Sequence, residues 1–154
     1  MADSSSFSGT WSPRILSVLR IVTALLFIPH GTQKLLGFPG TQQAVSSLAS
    51  LMGVAGILEC LGGLLLLLGV FPRSVAFLLS GQMAVAYVMA HAPRGLWPLL
   101  NGGELAALYC FVFLYLAVAG GGAWGVHRSG TVKKAGEGTG RSEIRRRPET
   151  IRNG

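Results

Sequence analysis

"GILECLGGLLLLLGVF" (residues Gly56–Phe71) contains a single charged residue, Glu59. A helix of a soluble bundle needs polar residues along its outward face, and this stretch is apolar on every side. With 50% hydrophobic residues, 12% charged residues and a mean hydropathy of +0.52, the whole chain is also too apolar for a soluble domain of 154 residues. The stretch therefore predicts a helix inside a lipid bilayer.

Four apolar windows are long enough to cross a hydrocarbon core, which takes about 20 residues of helix. They cover residues 14–36, 51–70, 74–91 and 103–120. The first window runs into His-Gly and not into a small-residue cleavage site, so we expect a retained helix. We predict an all-α polytopic membrane protein. It has a short N-terminal segment (residues 1–13), a four-helix transmembrane bundle (14–126) and a basic tail (127–154).

The basic residues predict the orientation of the helices. Arg14, Arg73 and the tail flank one side of the predicted bundle, whereas only Lys34 and Arg94 lie on the other side. By the positive-inside rule, both termini are cytoplasmic.

The tail carries most of the charge. Its eight basic and three acidic residues give it +5 of the chain's +7. It has few large apolar residues, so we expect a disordered segment that contacts anionic lipid and does not bind nucleic acid.

Polar residues within the first two windows share helix faces. At about 100° per residue, Arg20, His30 and Lys34 fall within one sector of helix one, together with Thr23, Phe27 and Gly31. In helix two, Glu59 follows Gly56 and precedes Gly63, and these glycines allow a partner helix to approach closely. A lone charge at mid-bilayer costs about 3 kcal/mol on insertion scales, which favours pairing. Arg20 and Lys34 are both candidate partners of Glu59. We predict a structural ion pair between Arg20 and Glu59, because a guanidinium can make two bonds to a carboxylate in fixed geometry.

The third and fourth windows add further polar groups. His91 and Gln82 lie on roughly opposite faces of helix three, so Gln82 contacts either a second subunit, in a homo-oligomer, or backbone. Asn101 is a candidate helix cap with Glu104 in the first turn. Two interpretations of the intramembrane charges stay open: structural ion pairs alone, or a polar pocket that opens toward the outer face and binds a ligand. The predicted ligand-binding residues are His30, Gln33, Lys34, Glu59, His91 and Glu104.

The sequence gives little indication of a metal site or of a thiol-disulfide active site. Cys60 and Cys110 lie inside predicted spans without a C-x-x-C pattern, so we expect them to pack as small apolar residues. The spacing predicts no metal site and assigns no catalytic residue.

Three stretches resemble the DoxX family of small four-helix bacterial membrane proteins. They are "LRIVTALLFIPHGTQKLLGF" (Leu19–Phe38), "GILECLGGLLLLLGVFPR" (Gly56–Arg73) and "NGGELAALYCFVFLYLAVAGGGAW" (Asn101–Trp124). The most specific feature is H-G-x-Q-K in the first stretch combined with E-x-x-G-G in the second. The sequence departs from the family after helix four, where Gly125 and His127 stand in place of the usual Ser and Asp.

The resemblance implies a bacterial inner-membrane protein linked to respiratory or thiol-stress redox chemistry, with relatives described as subunits of a thiosulfate:quinone oxidoreductase. One hypothesis is a redox subunit whose pocket holds a quinone head group. An equally weighted alternative is a non-catalytic adaptor that scaffolds soluble redox proteins or binds a small amphiphile. A haem held by His30 and His91 is much less favoured, and no covalent cofactor is expected. The sequence has no flavin, nicotinamide or iron–sulfur pattern, so electrons come from another protein or a bound small molecule. Whether the chain is an enzyme stays open.

Overall fold

A computed structural model describes residues 4–40 and 44–126. All of the regular structure in these two ranges is helical. The helices are α1 (Ser4–Leu36), α2 (Leu51–Leu68), α3 (Pro72–Ala86), the four-residue α4 (Pro98–Asn101) and α5 (Glu104–Ala119). Between α3 and α4 the chain continues through a π-helix (Tyr87–His91) and a 3₁₀ turn (Ala92–Arg94). The predicted tail lies outside the described residues.

The predicted fold class, an all-α membrane protein, is confirmed. Within the described ranges, three helical stretches are long and apolar enough to cross a bilayer: Gly9–Leu36, Leu51–Leu68 and Pro72–Arg94. The apolar helix α5 is shorter, with 16 residues. α1 already begins at Ser4, inside the segment that the sequence predicted to precede the first span.

The helix ends follow local chemistry. α2 begins after Ser50, whose hydroxyl accepts a hydrogen bond from the amide of Gly53 at 3.0 Å. It ends at Gly69, which adopts the left-handed conformation that L-residues disfavour. Pro72 opens α3 at a position where a missing amide hydrogen costs nothing. These signals produce a tight antiparallel connection between α2 and α3.

The helices pack as two pairs, α1 with α2 and α3 with α5. Close approach in the first pair depends on glycine. A Cβ on Gly63 would lie 2.6 Å from the side chain of Ile28, and one on Gly31 would lie 2.8 Å from the carbonyl oxygen of Gly56. The predicted role of the glycines beside Glu59 is therefore confirmed, and the partner helix is α1.

The core lies between the two pairs. Phe27 from α1 meets Phe113 and Tyr109 from α5 in edge-to-face contacts, with ring centroids 4.8 and 5.1 Å apart. Leu66 and Leu79 are also fully buried. This apolar layer separates two polar ends of the bundle, one around Arg20 and one around Glu59.

Candidate functional site

Glu59 is a buried carboxylate near the middle of α2, with 1% of its surface exposed. Its Oε1 atom accepts hydrogen bonds from the Lys34 ammonium and, at 3.0 Å, from the Gln82 amide. Its Oε2 atom is also buried and has no hydrogen-bond partner among the described residues. Glu59 is thus only half satisfied.

Gln82 joins α3 to α2. Its Nε2 donates to the carbonyl oxygen of Ala55 at 3.2 Å as well as to Glu59, and its buried Oε1 has no partner in the described part of the chain. Of the two alternatives for Gln82, the structure shows the bond to backbone and adds a bond to a side chain that the sequence did not suggest.

The predicted Arg20–Glu59 ion pair is wrong. α1 and α2 run antiparallel with Ile28 against Gly63 and Leu35 against Gly56, so Glu59 lies level with about residue 32 of α1. Arg20 is roughly twelve residues, or about 18 Å, farther along that helix. The cation that reaches Glu59 is Lys34.

Arg20 instead binds backbone at the opposite end of the bundle, and only 1% of it is exposed. Its guanidinium donates to four carbonyl oxygens, two at the end of α2 and two in the segment after α5. They belong to Leu66, Leu67 (2.9 Å), Gly121 (2.9 Å) and Trp124. The last carbonyls of a helix lack partners within it and carry partial negative charge, so a cation there is favourable. Arg20 therefore clamps α1, α2 and the segment that follows α5.

A cavity of about 270 Å³, here called the polar cavity, opens among α1, α3 and α5 at the Glu59 end. Four predicted ligand residues line it: His30, Lys34, Glu59 and His91. Apolar and aromatic groups complete the wall, including Phe27, Met83, Leu105 and Tyr109. A mostly apolar cavity with a few converging polar groups is typical of small-molecule sites, and its volume suits a single-ring head group.

The two histidines are held differently. The ring of His30 lies near those of Phe27 and Tyr109, with centroids 6.4 and 6.0 Å apart. His91 stacks on Tyr87, and its Nδ1 lies 3.2 Å from the carbonyl oxygen of Asn101. A carbonyl oxygen only accepts hydrogen bonds, so Nδ1 carries the proton and Nε2 is the acceptor in the neutral ring.

A proline positions His91. Pro93 has no amide hydrogen for the α-helical ladder, and in the turn before it the amide of Ala92 bonds to the carbonyl of Tyr87, five residues back. The resulting π-turn shifts His91 relative to a regular helix. Such single π-turns occur frequently at functional sites.

The structure places Gln33 and Glu104 outside the polar cavity. Gln33 precedes Lys34 by one residue and so lies about 100° around α1, where its amide donates to the carbonyl of Pro39 at 3.1 Å. Glu104 is exposed at the start of α5. The predicted cap at Asn101 is wrong, because the residue before α5 is Gly103 and no side chain of the described residues caps this helix. Asn101 ends α4; its Oδ1 accepts from the amide of Gly103 at 2.8 Å, and its Nδ2 donates to the carbonyl of Gly95 at 2.8 Å.

Comparison with known proteins identifies the family. A model of the DoxX family matches residues 15–92. A Haemophilus influenzae protein named "Uncharacterized protein" is 47% identical over 120 residues, which cover 73% of this chain and 88% of the relative. The chain belongs to the DoxX family. The Escherichia coli "Inner membrane protein YphA" is 30% identical over 130 residues, 78% of this chain and 93% of that protein.

Another relative of this DoxX protein has a functional name. A Bacillus subtilis protein named "Putative oxidoreductase CatD" is 29% identical over 106 residues, which cover 67% of this chain and 77% of the relative. No solved structure matches the chain.

Sequence reasoning missed two residues of this DoxX site. Tyr109 lines the polar cavity next to His30, but in an apolar helix it is indistinguishable from a core aromatic. The sequence did single out Gln82, which is the only amide side chain in the apolar helix α3, but it did not indicate that Gln82 contacts Glu59. The described residues contain no group of three or more His, Cys, Asp or Glu arranged to hold a metal ion.

Proposed function

We propose that this DoxX-family protein is a membrane subunit of a redox system and that its polar cavity binds the head group of a membrane quinone. The observation that carries the proposal is the half-satisfied Glu59 carboxylate beside Lys34 in a cavity the size of one ring. The name of the Bacillus subtilis relative, "Putative oxidoreductase CatD", supports the redox part.

The residues of the polar cavity match the two oxidation states of a quinone. The carbonyl oxygens of the oxidised form need donors, and the Lys34 ammonium has three N–H groups, of which Glu59 Oε1 takes one. The hydroxyls of the reduced form need acceptors, and Glu59 Oε2 and His91 Nε2 have that character.

Interconversion of the two states moves two electrons and two protons. Glu59 and the imidazoles exchange protons with the head-group oxygens. The electrons pass to or from a soluble redox protein, in agreement with the lack of flavin, nicotinamide and iron–sulfur patterns in the sequence.

The proposed location is the inner membrane with both termini cytoplasmic. The polar cavity lies near the end of α1 and the start of α5. In that orientation both of these helix ends are at the outer face, and so is the polar cavity. Reporter fusions after residues 42, 72, 99 and 130 should report outside, inside, outside and inside. An outside signal at residue 130 would overturn this topology.

Binding of a quinone without a hydrocarbon chain tests the head-group site. Duroquinone and durohydroquinone are titrated by calorimetry onto the full chain in lipid nanodiscs. We expect wild type to bind both forms and Glu59→Gln to weaken binding of the hydroquinone at least about tenfold, because the amide replaces an acceptor by a donor.

Glu104→Gln is the matched control, since it makes the same change at an exposed carboxylate outside the polar cavity. The control should bind like wild type, and melting temperatures verify that all three proteins are folded. Absence of binding by folded wild type, or equal binding by Glu59→Gln, would contradict the proposal. If wild type binds neither form yet still associates with its redox partner, the adaptor function is favoured instead.

A further inference from the structure

A second and larger space lies on the lipid-facing side of the bundle between α2 and α3. Its volume is about 600 Å³, and we call it the α2–α3 groove. Most of its lining is aliphatic or aromatic, including Leu51, Leu58, Phe77, Leu78, Val85 and Met89. The groove exists because α2 packs mainly along α1 and α3 mainly along α5.

The groove meets the polar cavity at an ion pair. Lys34 and Glu59 line both spaces, and Gln82 lines the groove beside them. Three of the four polar side chains that line the groove therefore lie at the junction; the fourth, Ser80, donates to the carbonyl of Cys110 in α5. The arrangement matches an amphiphile with a polar ring at one end and a hydrocarbon chain at the other.

Two buried oxygens mark this junction. Glu59 Oε2 and Gln82 Oε1 both lack hydrogen-bond partners among the described residues. Unpartnered buried acceptors are costly, and a hydroxyl at the junction would satisfy one of them. The polar end of a ligand thus belongs here and not at the far end of the groove.

The depth of the junction along the helix axis favours a neutral head group over a charged one. Glu59 lies eight residues from the start of α2, about 12 Å along the helix axis. A charged phospholipid head group would have to leave the interface and enter hydrocarbon to reach it, at a large desolvation cost. A neutral ring with hydroxyl or carbonyl groups carries no such penalty.

The length of the groove suits a hydrocarbon chain. On α3 and the π-helix its lining extends from Phe77 to Ala90, which corresponds to roughly 20 Å of helix. Gly81 lies within this lining, and a Cβ added there would meet no atom of the described residues within 4 Å. The groove is therefore open at Gly81.

We propose that the α2–α3 groove binds the hydrocarbon chain of the quinone whose head group occupies the polar cavity. This inference rests on the proposed function and adds the chain-binding half of the site. A bound chain gains little from leaving lipid, which is equally apolar. Its contribution is shape-specific packing, and side chains that fill the groove should abolish that contribution.

Gly81→Leu tests the groove, because its Cβ would lie in open space and the rest of the side chain would occupy the groove. Gly9→Leu is the matched control, a glycine in α1 that also has open space and lines neither space. Binding of decylubiquinone, which has a chain, and of duroquinone, which has none, is measured for each protein in nanodiscs. We expect Gly81→Leu to weaken decylubiquinone binding at least about fivefold and duroquinone binding less than twofold, and Gly9→Leu to change neither.

A second measurement does not depend on any variant. A quinone with a photoreactive diazirine at the end of its chain is cross-linked to wild type, and labelled residues are located by mass spectrometry. Labels concentrated at residues 51–58 and 77–90 support the groove. A diazirine phospholipid should instead label lipid-facing residues of all helices.

The outcomes separate the two proposals. If wild type binds duroquinone but Gly81→Leu leaves decylubiquinone binding unchanged, or if the chain label matches that of the phospholipid, the groove proposal is wrong and the head-group site stands. If wild type binds neither quinone, both proposals are wrong.

Discussion

The two buried charges of this DoxX protein, Arg20 and Glu59, are equally hidden, with 1% exposure each, but their surroundings differ. Arg20 donates to four backbone carbonyls that belong to the end of α2 and the segment after α5. Among the residues that the structure describes, Glu59 has two side-chain donors on one oxygen and none on the other, and it borders a cavity. A buried charge with a hydrogen-bond partner on every nitrogen serves as a structural link, whereas a half-satisfied one beside a cavity is suited to a ligand.

The side chains themselves explain part of this difference. The guanidinium of arginine is a planar fork with five donors, and it holds several fixed carbonyl oxygens at once. The lysine ammonium sits on a flexible stem, and 24% of the Lys34 side chain is exposed. The flexible stem leaves the Lys34 ammonium free to shift its position, but Arg20 cannot leave its carbonyls without loosening three segments of the fold.

Removal of Arg20 should produce the largest effect. Arg20→Leu removes a donor from four backbone carbonyl oxygens. Leu66 keeps its bond from the Gly69 amide, but each of the other buried acceptors that is left unsatisfied costs about 1–3 kcal/mol. We expect a loss of at least about 3 kcal/mol in the free energy of unfolding. The measurements are membrane abundance and unfolding in a detergent titration. Normal stability of Arg20→Leu would remove the contrast between the two ends of the bundle.

Gly122 offers a second test of the Arg20 end of the bundle, because this residue is tightly packed. It has a positive φ of 81°, and an added Cβ would lie 2.6 Å from the carbonyl oxygen of Pro13. Gly122→Ala should cost about 1–3 kcal/mol, since both the backbone conformation and the contact resist it. Gly81→Ala, in the open groove, should be neutral or slightly stabilising. Equal melting temperatures of the two variants would contradict the tight packing around Gly122.

A substitution at Glu59 should affect ligand binding more than stability, in contrast to substitutions at the Arg20 end. Glu59→Gln keeps an acceptor for Lys34 and Gln82, so we expect a change in the free energy of unfolding below about 1.5 kcal/mol. Hydroquinone affinity should fall at least about tenfold, which is about 1.4 kcal/mol. A variant that unfolds as readily as Arg20→Leu would show that Glu59 is mainly structural.

The cysteines should matter least at either end. Cys110 lies 3.7 Å from the Ser80 hydroxyl, and Cys60 packs against Gly31 of α1. Replacement of both by Ala should lower the melting temperature only slightly and leave duroquinone binding within twofold. Loss of binding in a folded double variant would indicate thiol chemistry at the site.

Helical periodicity predicted much of this arrangement. The sector of α1 that carries Arg20, Thr23, Phe27 and Gly31 is buried as expected, because polar and small side chains in a bilayer turn toward protein. On α2, Gly56, Glu59 and Gly63 are buried as expected, and Gly53 is buried as well.

Periodicity could not predict which residues of two helices lie at the same height. The Arg20–Glu59 prediction failed because a shared inward face says nothing about register along the helix axis. The partners of Arg20 are backbone carbonyl oxygens. Every residue has one, so the side-chain sequence does not indicate which of them Arg20 contacts. The glycines at 120–122 were the available signal, since a glycine run after a helix allows the chain to fold back closely.

The most direct test of this division of roles is a pair of double-mutant cycles on the free energy of unfolding. One cycle combines Lys34→Gln with Glu59→Gln, and the other combines Arg20→Lys with Glu59→Gln. We expect a coupling energy of at least about 1 kcal/mol between Lys34 and Glu59, which are in contact, and additivity within about 0.5 kcal/mol between Arg20 and Glu59, which are far apart. Strong coupling of Arg20 to Glu59, with none between Lys34 and Glu59, would contradict the account.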